Sequence, residues 1–272
     1  MARYNKQRAR ELKHDRFRDS TMSFFDRLGD RLEGKGRTIL YAFLGLVCAI
    51  ALISALTYWN NRKRDEARRA LGHAIEIASA PILPAPVAGS PSVSFPNERA
   101  RAESAVKEFN AVAAKYPDPF RENARYLAAV NQLTLDRNEG LRELEKLATS
   151  SSDKAVSTLA KFALAQAKEM DGQYDTAAAL YGELAKQTDG VIPADTANLR
   201  LAAVYEKQGK KKEAADLLYN IVQASRKAKG ADGKLIPPSG AARDAALQLE
   251  KLDPTRYSQL PPEPLANEFA LS

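Results

Sequence analysis

FALAQAKEMDGQYDTAAALYGELA, residues 162–185, holds two runs of good helix formers on either side of Asp171-Gly172-Gln173. Apolar residues recur three and four apart in each run, the period of a helix with one buried face. The glycine at the junction supplies the backbone freedom that a tight turn needs. The stretch therefore reads as a helical hairpin: helix A, turn, helix B.

A single hairpin cannot bury both of its faces, so recurrence is the test of a repeat array. Leu127-Ala128, Leu164-Ala165 and Leu201-Ala202 recur at a spacing of 37. Gly140, Ala177 and Ala214 keep that step, as do Leu144, Tyr181 and Leu218. So do Leu147-Ala148, Leu184-Ala185 and Ile221-Val222. Small residues fall where the two helices of a hairpin must approach, and large ones where successive hairpins must be filled.

These positions resemble the tetratricopeptide repeat, in which helix A carries a large-then-small pair, the turn a glycine, and helix B a small residue followed by an aromatic. Leu164, Ala165, Gly172, Tyr174, Ala177 and Tyr181 match that motif best. In LRLAAVYEKQGKKKEAADLLYNIV, residues 199–222, Leu201, Ala202, Tyr205, Gly209, Ala214 and Leu218 do the same. The copy around Leu127 departs from it, with Leu135 where the turn glycine belongs and Gly140 in place of alanine. A leading copy can be assembled from helices over 61–79 and 97–116, with Ala105, Phe109, Ala113 and Pro117 in the helix B pattern. Between them lies APILPAPVAGSPSVSFP, residues 80–96, whose five prolines forbid a helix. It reads as a linker inside the hairpin, the competing reading being a peptide-like ligand for a partner. Ala241–Leu252 is expected to cap the array, and the proline-rich tail over 253–272 to lie extended or mobile on the surface.

Working outward toward the N-terminus, Thr38–Trp59 is TILYAFLGLVCAIALISALTYW, without a charged residue. At about 1.5 Å per residue it spans roughly 33 Å as a helix, enough to cross the hydrocarbon of a bilayer. The 37-residue charged leader, the length of the run and Arg62, Lys63 and Arg64 just after it argue against a cleaved signal peptide. Val47, before the single cysteine Cys48, argues against lipoprotein processing. A lone cysteine also excludes an intrachain disulfide and a thiolate metal cluster. The expected fold is thus all-α: a single N-terminal transmembrane helix, then a tetratricopeptide-like α-solenoid of about four hairpins over 60–252 with a capping helix.

The overall charge of +7 is concentrated beside this span. Residues 1–37 carry a net +5 and residues 62–69 a net +3, which leaves −1 for Ala70–Ser272. A near-neutral domain gains little from counterion release, so nucleic acid is not an expected partner. The leader holds the greater number of basic residues, which places the N-terminus in the cytoplasm and the domain outside, although the cluster after the span opposes that orientation. Within the leader, Phe24, Phe25, Leu28 and Leu32 share one helical face and predict a short amphipathic helix on the inner membrane surface; a flexible leader is the alternative.

No catalytic constellation is found. His14 and His73 fall on opposite sides of the predicted membrane, and neither a glycine-rich phosphate loop nor an HExxH motif occurs. The expectation is a non-enzymatic protein with no cofactor, no metal and no small-molecule substrate. The repeat resemblance implies binding through a groove lined by helix A, at Arg125, Ala129, Gln132 and Leu133, then Leu159, Phe162, Gln166, Glu169 and Met170, then Leu199, Ala203, Glu206 and Lys207. Phe162 and Met170 are the sharpest candidates, since large apolar groups facing a groove suit a peptide; the competing reading packs both against the neighbouring repeat.

The whole plan resembles the YfgM-like ancillary subunits of the bacterial SecYEG translocon, over roughly residues 38–228. The resemblance implies a single-pass protein of the bacterial inner membrane whose periplasmic domain binds proteins, with the SecYEG translocon and the PpiD chaperone as partners. The leader's length and the proline loop depart from the family pattern. Alternatives are an adaptor for outer-membrane or envelope assembly, and an envelope-sensing regulator acting through the cytoplasmic leader.

Overall fold

The computed structural model describes residues 36–83, 93–187, 190–231 and 233–263. Their secondary structure is helical: α1 (Gly36–Ala78), α2 (Glu98–Lys115), α3 (Phe120–Leu135), α4 (Arg137–Ser150), α5 (Lys154–Met170), α6 (Tyr174–Ala185), α7 (Ala194–Lys207), α8 (Lys211–Lys227), α9 (Gly240–Leu252) and α10 (Pro254–Tyr257). No strand occurs among the described residues, only the isolated bridges Ile82–Phe95 and Lys229–Leu235. The chain divides into two compact units, Met1–Asp65 and Glu66–Ser272.

In the first unit, α1 exposes Leu44, Leu46, Ile50, Leu52, Ile53 and Leu56, none of which is covered by the described residues. In water such a surface is costly, whereas hydrocarbon accepts it. The Thr57 hydroxyl donates to Ile53 O at 2.9 Å and so is satisfied within the helix. α1 is the one helix among the described residues long and apolar enough to cross a membrane. It also includes the first helix expected after the span, without a break. The amphipathic helix predicted in the leader lies outside the described residues.

The second unit is built of helical hairpins. α2, α4, α6 and α8 each bury one triad with the same spacing: Ala105, Phe109 and Val112; Gly140, Leu144 and Leu147; Ala177, Tyr181 and Leu184; Ala214, Leu218 and Ile221. The sequence register therefore marks equivalent core positions. Ala128, Ala165 and Ala202, also 37 apart, are buried on the facing helices. From the α1 side, Ala74 and Ile77 pack with Phe109, and Ala67 with Val112 and Tyr116.

Two of the turns are the same device. Gly172 and Gly209 have φ of 71° and 78°. After α5, Gly172 N–H donates to Glu169 O at 3.1 Å and Gln173 N–H to Lys168 O at 2.9 Å. After α7, Gly209 N–H donates to Glu206 O and Lys210 N–H to Tyr205 O, both at 2.9 Å. These are Schellman turns, which satisfy the last helix carbonyls and require a left-handed residue. A Cβ at Gly172 would touch nothing within 4 Å, so its cost is purely that of the backbone. Gly172→Ala is expected to cost about 1–2 kcal/mol, measured by denaturant unfolding; an unchanged midpoint would mean that the turn relaxes to another form.

The α3–α4 connection is different, and the difference explains both departures of the Leu127 copy. Asp136 alone joins the helices: its N–H donates to Gln132 O at 2.8 Å, and its side chain caps α4 by accepting from Glu139 N at 3.0 Å. Three residues, Asp171–Gln173, join α5 to α6. With no room for a glycine turn, the helices come so close that a Cβ on Gly140 would lie 2.7 Å from Leu133 N. Glycine replaces alanine there because the backbone of α3 occupies the space.

At the ends of this unit, Leu83 N–H donates to Phe95 O at 2.8 Å and Phe95 N–H to Pro81 O at 3.0 Å, closing the base of the proline loop. Over residues 253–263 the tail differs from the extended or mobile segment expected, while 264–272 lie outside the described residues. Asp253 caps α10 by accepting from Arg256 N at 3.0 Å, with Pro254 at the first helical position. Leu260 is buried with Ala245 and Leu249. Arg226 donates to Pro261 O, and Arg256 pairs with Asp216. Proline at a helix start is compatible with a turn of helix, which a reading of prolines as extended overlooks.

Candidate protein-binding cleft

Arg125, Ala128, Ala129 and Gln132 are three and four residues apart on α3 and so share one face. Glu139 and Glu143 of α4 and Val106 and Asn110 of α2 meet that face across an open cleft of about 390 Å³. The Arg125 side chain, 31% exposed, is held in its wall: Nη1 lies 3.1 Å from Glu122 Oε1 and Nη2 lies 3.4 Å from Glu143 Oε2. Glu122 is buried, and its other oxygen accepts from Ser151 Oγ at 2.7 Å. Two carboxylates thus surround one guanidinium, and Arg142 pairs with Glu139 at 3.4 Å. The balance at the wall is one negative charge. With its amide and small apolar floor, this cleft suits a polypeptide carrying a cationic or amide group.

The other predicted groove residues occupy several environments. Phe162 is half-buried and packs edge to face on Tyr181, with ring centroids 5.7 Å apart at 65°. It belongs with the core between α5, α6 and α7. Leu199 is half-buried against the cluster of Ala202, Ala214 and Leu218. Met170, by contrast, is 79% exposed. Gln166 and Glu206 are half-buried.

Glu169 is the interior acid of this region. It is buried, accepts from Tyr181 Oη at 3.0 Å and from Lys207 Nζ at 2.8 Å, and so ties α5 to α6 and α7. Burial first, then the Glu169 charge and the hydrogen bond to it, push the Tyr181 phenol far above the ordinary tyrosine value. The neutral hydroxyl is therefore the state that the core holds. Burial alone raises the Tyr126 phenol.

Sequence reasoning missed the partners from other helices. Glu122, three residues before Arg125, was legible as an i, i+3 pair. Val106, Asn110, Glu143 and Ser151 come to the site only through packing of α2, α4 and the α4–α5 connection against α3. Among the described residues no group of three or more His, Cys, Asp or Glu side chains is placed to hold a metal ion.

The class defined by these features is an all-helical protein with one candidate transmembrane helix and an open polar cleft between helical hairpins. No protein-family model, no curated protein and no solved structure matches the chain.

Proposed function

We propose that the chain is a single-pass, membrane-anchored, non-enzymatic scaffold that binds other proteins through a tetratricopeptide-like solenoid. In this reading the N-terminus is cytoplasmic, the helical domain periplasmic, and the protein an ancillary subunit beside the bacterial SecYEG translocon and the PpiD chaperone. The observation that carries it is the cleft over α3, where Arg125 and Gln132, taken from the inward positions of a repeat, line one open surface. The shared buried triads of α2, α4, α6 and α8 support the repeat reading.

A photo-crosslinking amino acid at Gln132 tests it, with the same group at Leu247, an exposed apolar position on α9, as reference. In cells expressing the full chain, Gln132 is expected to crosslink a translocon subunit or the chaperone severalfold more strongly than Leu247 does. Equal capture at both positions would overturn the cleft as the binding surface, and components of an assembly machine at Gln132 would replace the translocon with the adaptor reading.

A further inference from the structure

The end of the apolar run carries a group of side chains that the scaffold role does not use. Tyr58 and Trp59 are 71% and 62% exposed, and they are followed by Asn60, Asn61, Arg62, Lys63 and Arg64, all exposed. Successive helix positions turn by about 100°, so Arg62, Lys63 and Arg64 fan around roughly 200° of the helix within a single turn. Lys63, one turn beyond Trp59, lies over the indole with its Nζ 4.7 Å from the ring centroid. That places an ammonium at the level of the aromatic residue that closes the span, where headgroups lie. Of the residues from Tyr58 to Asp65, Asp65 alone is acidic.

From this geometry we propose that Arg62, Lys63 and Arg64, with the Trp59 indole, form a collar that selects anionic phospholipids by binding their headgroup phosphate. The inference rests on the reading that α1 spans the membrane. Three cations within one turn complement a phosphodiester of net negative charge. A zwitterionic headgroup brings its own cation and gains less. Arg64 can present two parallel N–H groups to phosphate oxygens and Lys63 acts as a point charge beside the ring, while Arg62, which already has an interaction within the chain, adds its charge. The partner of this surface is the lipid, and the consequence is a fixed depth for the exit of α1.

Trp59 is the single tryptophan of the chain, so its fluorescence reports on the collar directly. The full chain is reconstituted in phosphatidylcholine vesicles that contain equal mole fractions of either brominated phosphatidylglycerol or brominated phosphatidylcholine, with the rest of the composition matched. Bromine quenches the indole on contact. The native chain is expected to be quenched severalfold more effectively by the anionic lipid, since each Lys or Arg near an anionic surface contributes on the order of fivefold. The variant R62Q/K63Q/R64Q, with helicity verified by circular dichroism, is expected to be quenched equally by both. Equal quenching of the native chain, or a preference that survives in the variant, would overturn the collar. So would loss of the preference on adding inorganic phosphate to the physiological range, which would make free phosphate the ligand. Absence of quenching by either lipid would instead reject the membrane-spanning reading of α1 and the collar with it.

Discussion

Glu169→Ala is expected to destabilise the helical domain by about 1–3 kcal/mol, the usual cost of leaving a buried hydrogen-bonding group without its partner. The stranded group is the Tyr181 hydroxyl, which sits in a core position and donates to Glu169 at 3.0 Å. Lys207, 47% exposed, can turn to solvent, so the lost ion pair adds little. Glu169→Gln keeps an acceptor for Tyr181 and is expected to cost less than about 1 kcal/mol. Glu206→Ala, at a half-buried position where no side-chain partner is seen among the described residues, is expected to stay within about 0.5 kcal/mol. Denaturant unfolding of the three variants, followed by helicity, decides between a packing role and a groove role for Glu169. A stable Glu169→Ala that nonetheless loses partner crosslinks would return the residue to the groove. The sign of the alkaline behaviour follows as well. Because the Tyr181 pKa is raised in the fold, its contribution is fully present below the unfolded tyrosine value of about 10 and declines as pH rises above it.

Gly140→Ala sets two effects of opposite sign against each other. Helix propensity alone favours alanine by about 1 kcal/mol. Against it, the added Cβ would lie 2.7 Å from Leu133 N and 3.0 Å from Leu133 Cα, which are backbone atoms that cannot rotate away. Separating α3 from α4 enough to relieve this strains the single-residue connection at Asp136 and disturbs the packing of the buried Leu144 and Leu147. The clash is expected to win, with a net loss of about 1 kcal/mol for alanine and about 3 kcal/mol for Gly140→Val, in the range found for overpacked cores. At the equivalent Ala177 the preference should reverse, Ala177→Gly costing about 1 kcal/mol from propensity alone. If Gly140→Ala proves stabilising in denaturant unfolding, the close approach of α3 and α4 is wrong.

Much of the helical plan was legible because it depends on short-range pattern. The 37-residue register located Ala177, Tyr181, Ala214 and Leu218, all fully buried, because a face must recur every three or four residues to stay buried along a helix. The two turn glycines were legible because a left-handed residue tolerates little else. The candidate cleft was legible only in part. Arg125 and Gln132 share one face of α3 by their spacing, but the acids that hold Arg125 and the α2 wall opposite depend on how neighbouring helices pack. Phe162 illustrates the limit: a large apolar residue on helix A suits a groove or a core equally well by pattern, and the edge-to-face contact with Tyr181 shows it in the core.

The amino-acid sequence by itself thus determined an all-helical chain, one apolar helix long enough to span a bilayer, the concentration of positive charge beside it, and the positions of the hairpins. Each follows from local propensity, periodicity or composition, which act over a few helical turns. Tertiary structure alone decided that Glu169 faces inward to Tyr181 and Lys207, that Gly140 is glycine because α3 touches it, and that Leu260 closes the last core instead of trailing in solvent. These depend on side chains brought together from different helices, and no spacing along the chain encodes the distance between two packed surfaces.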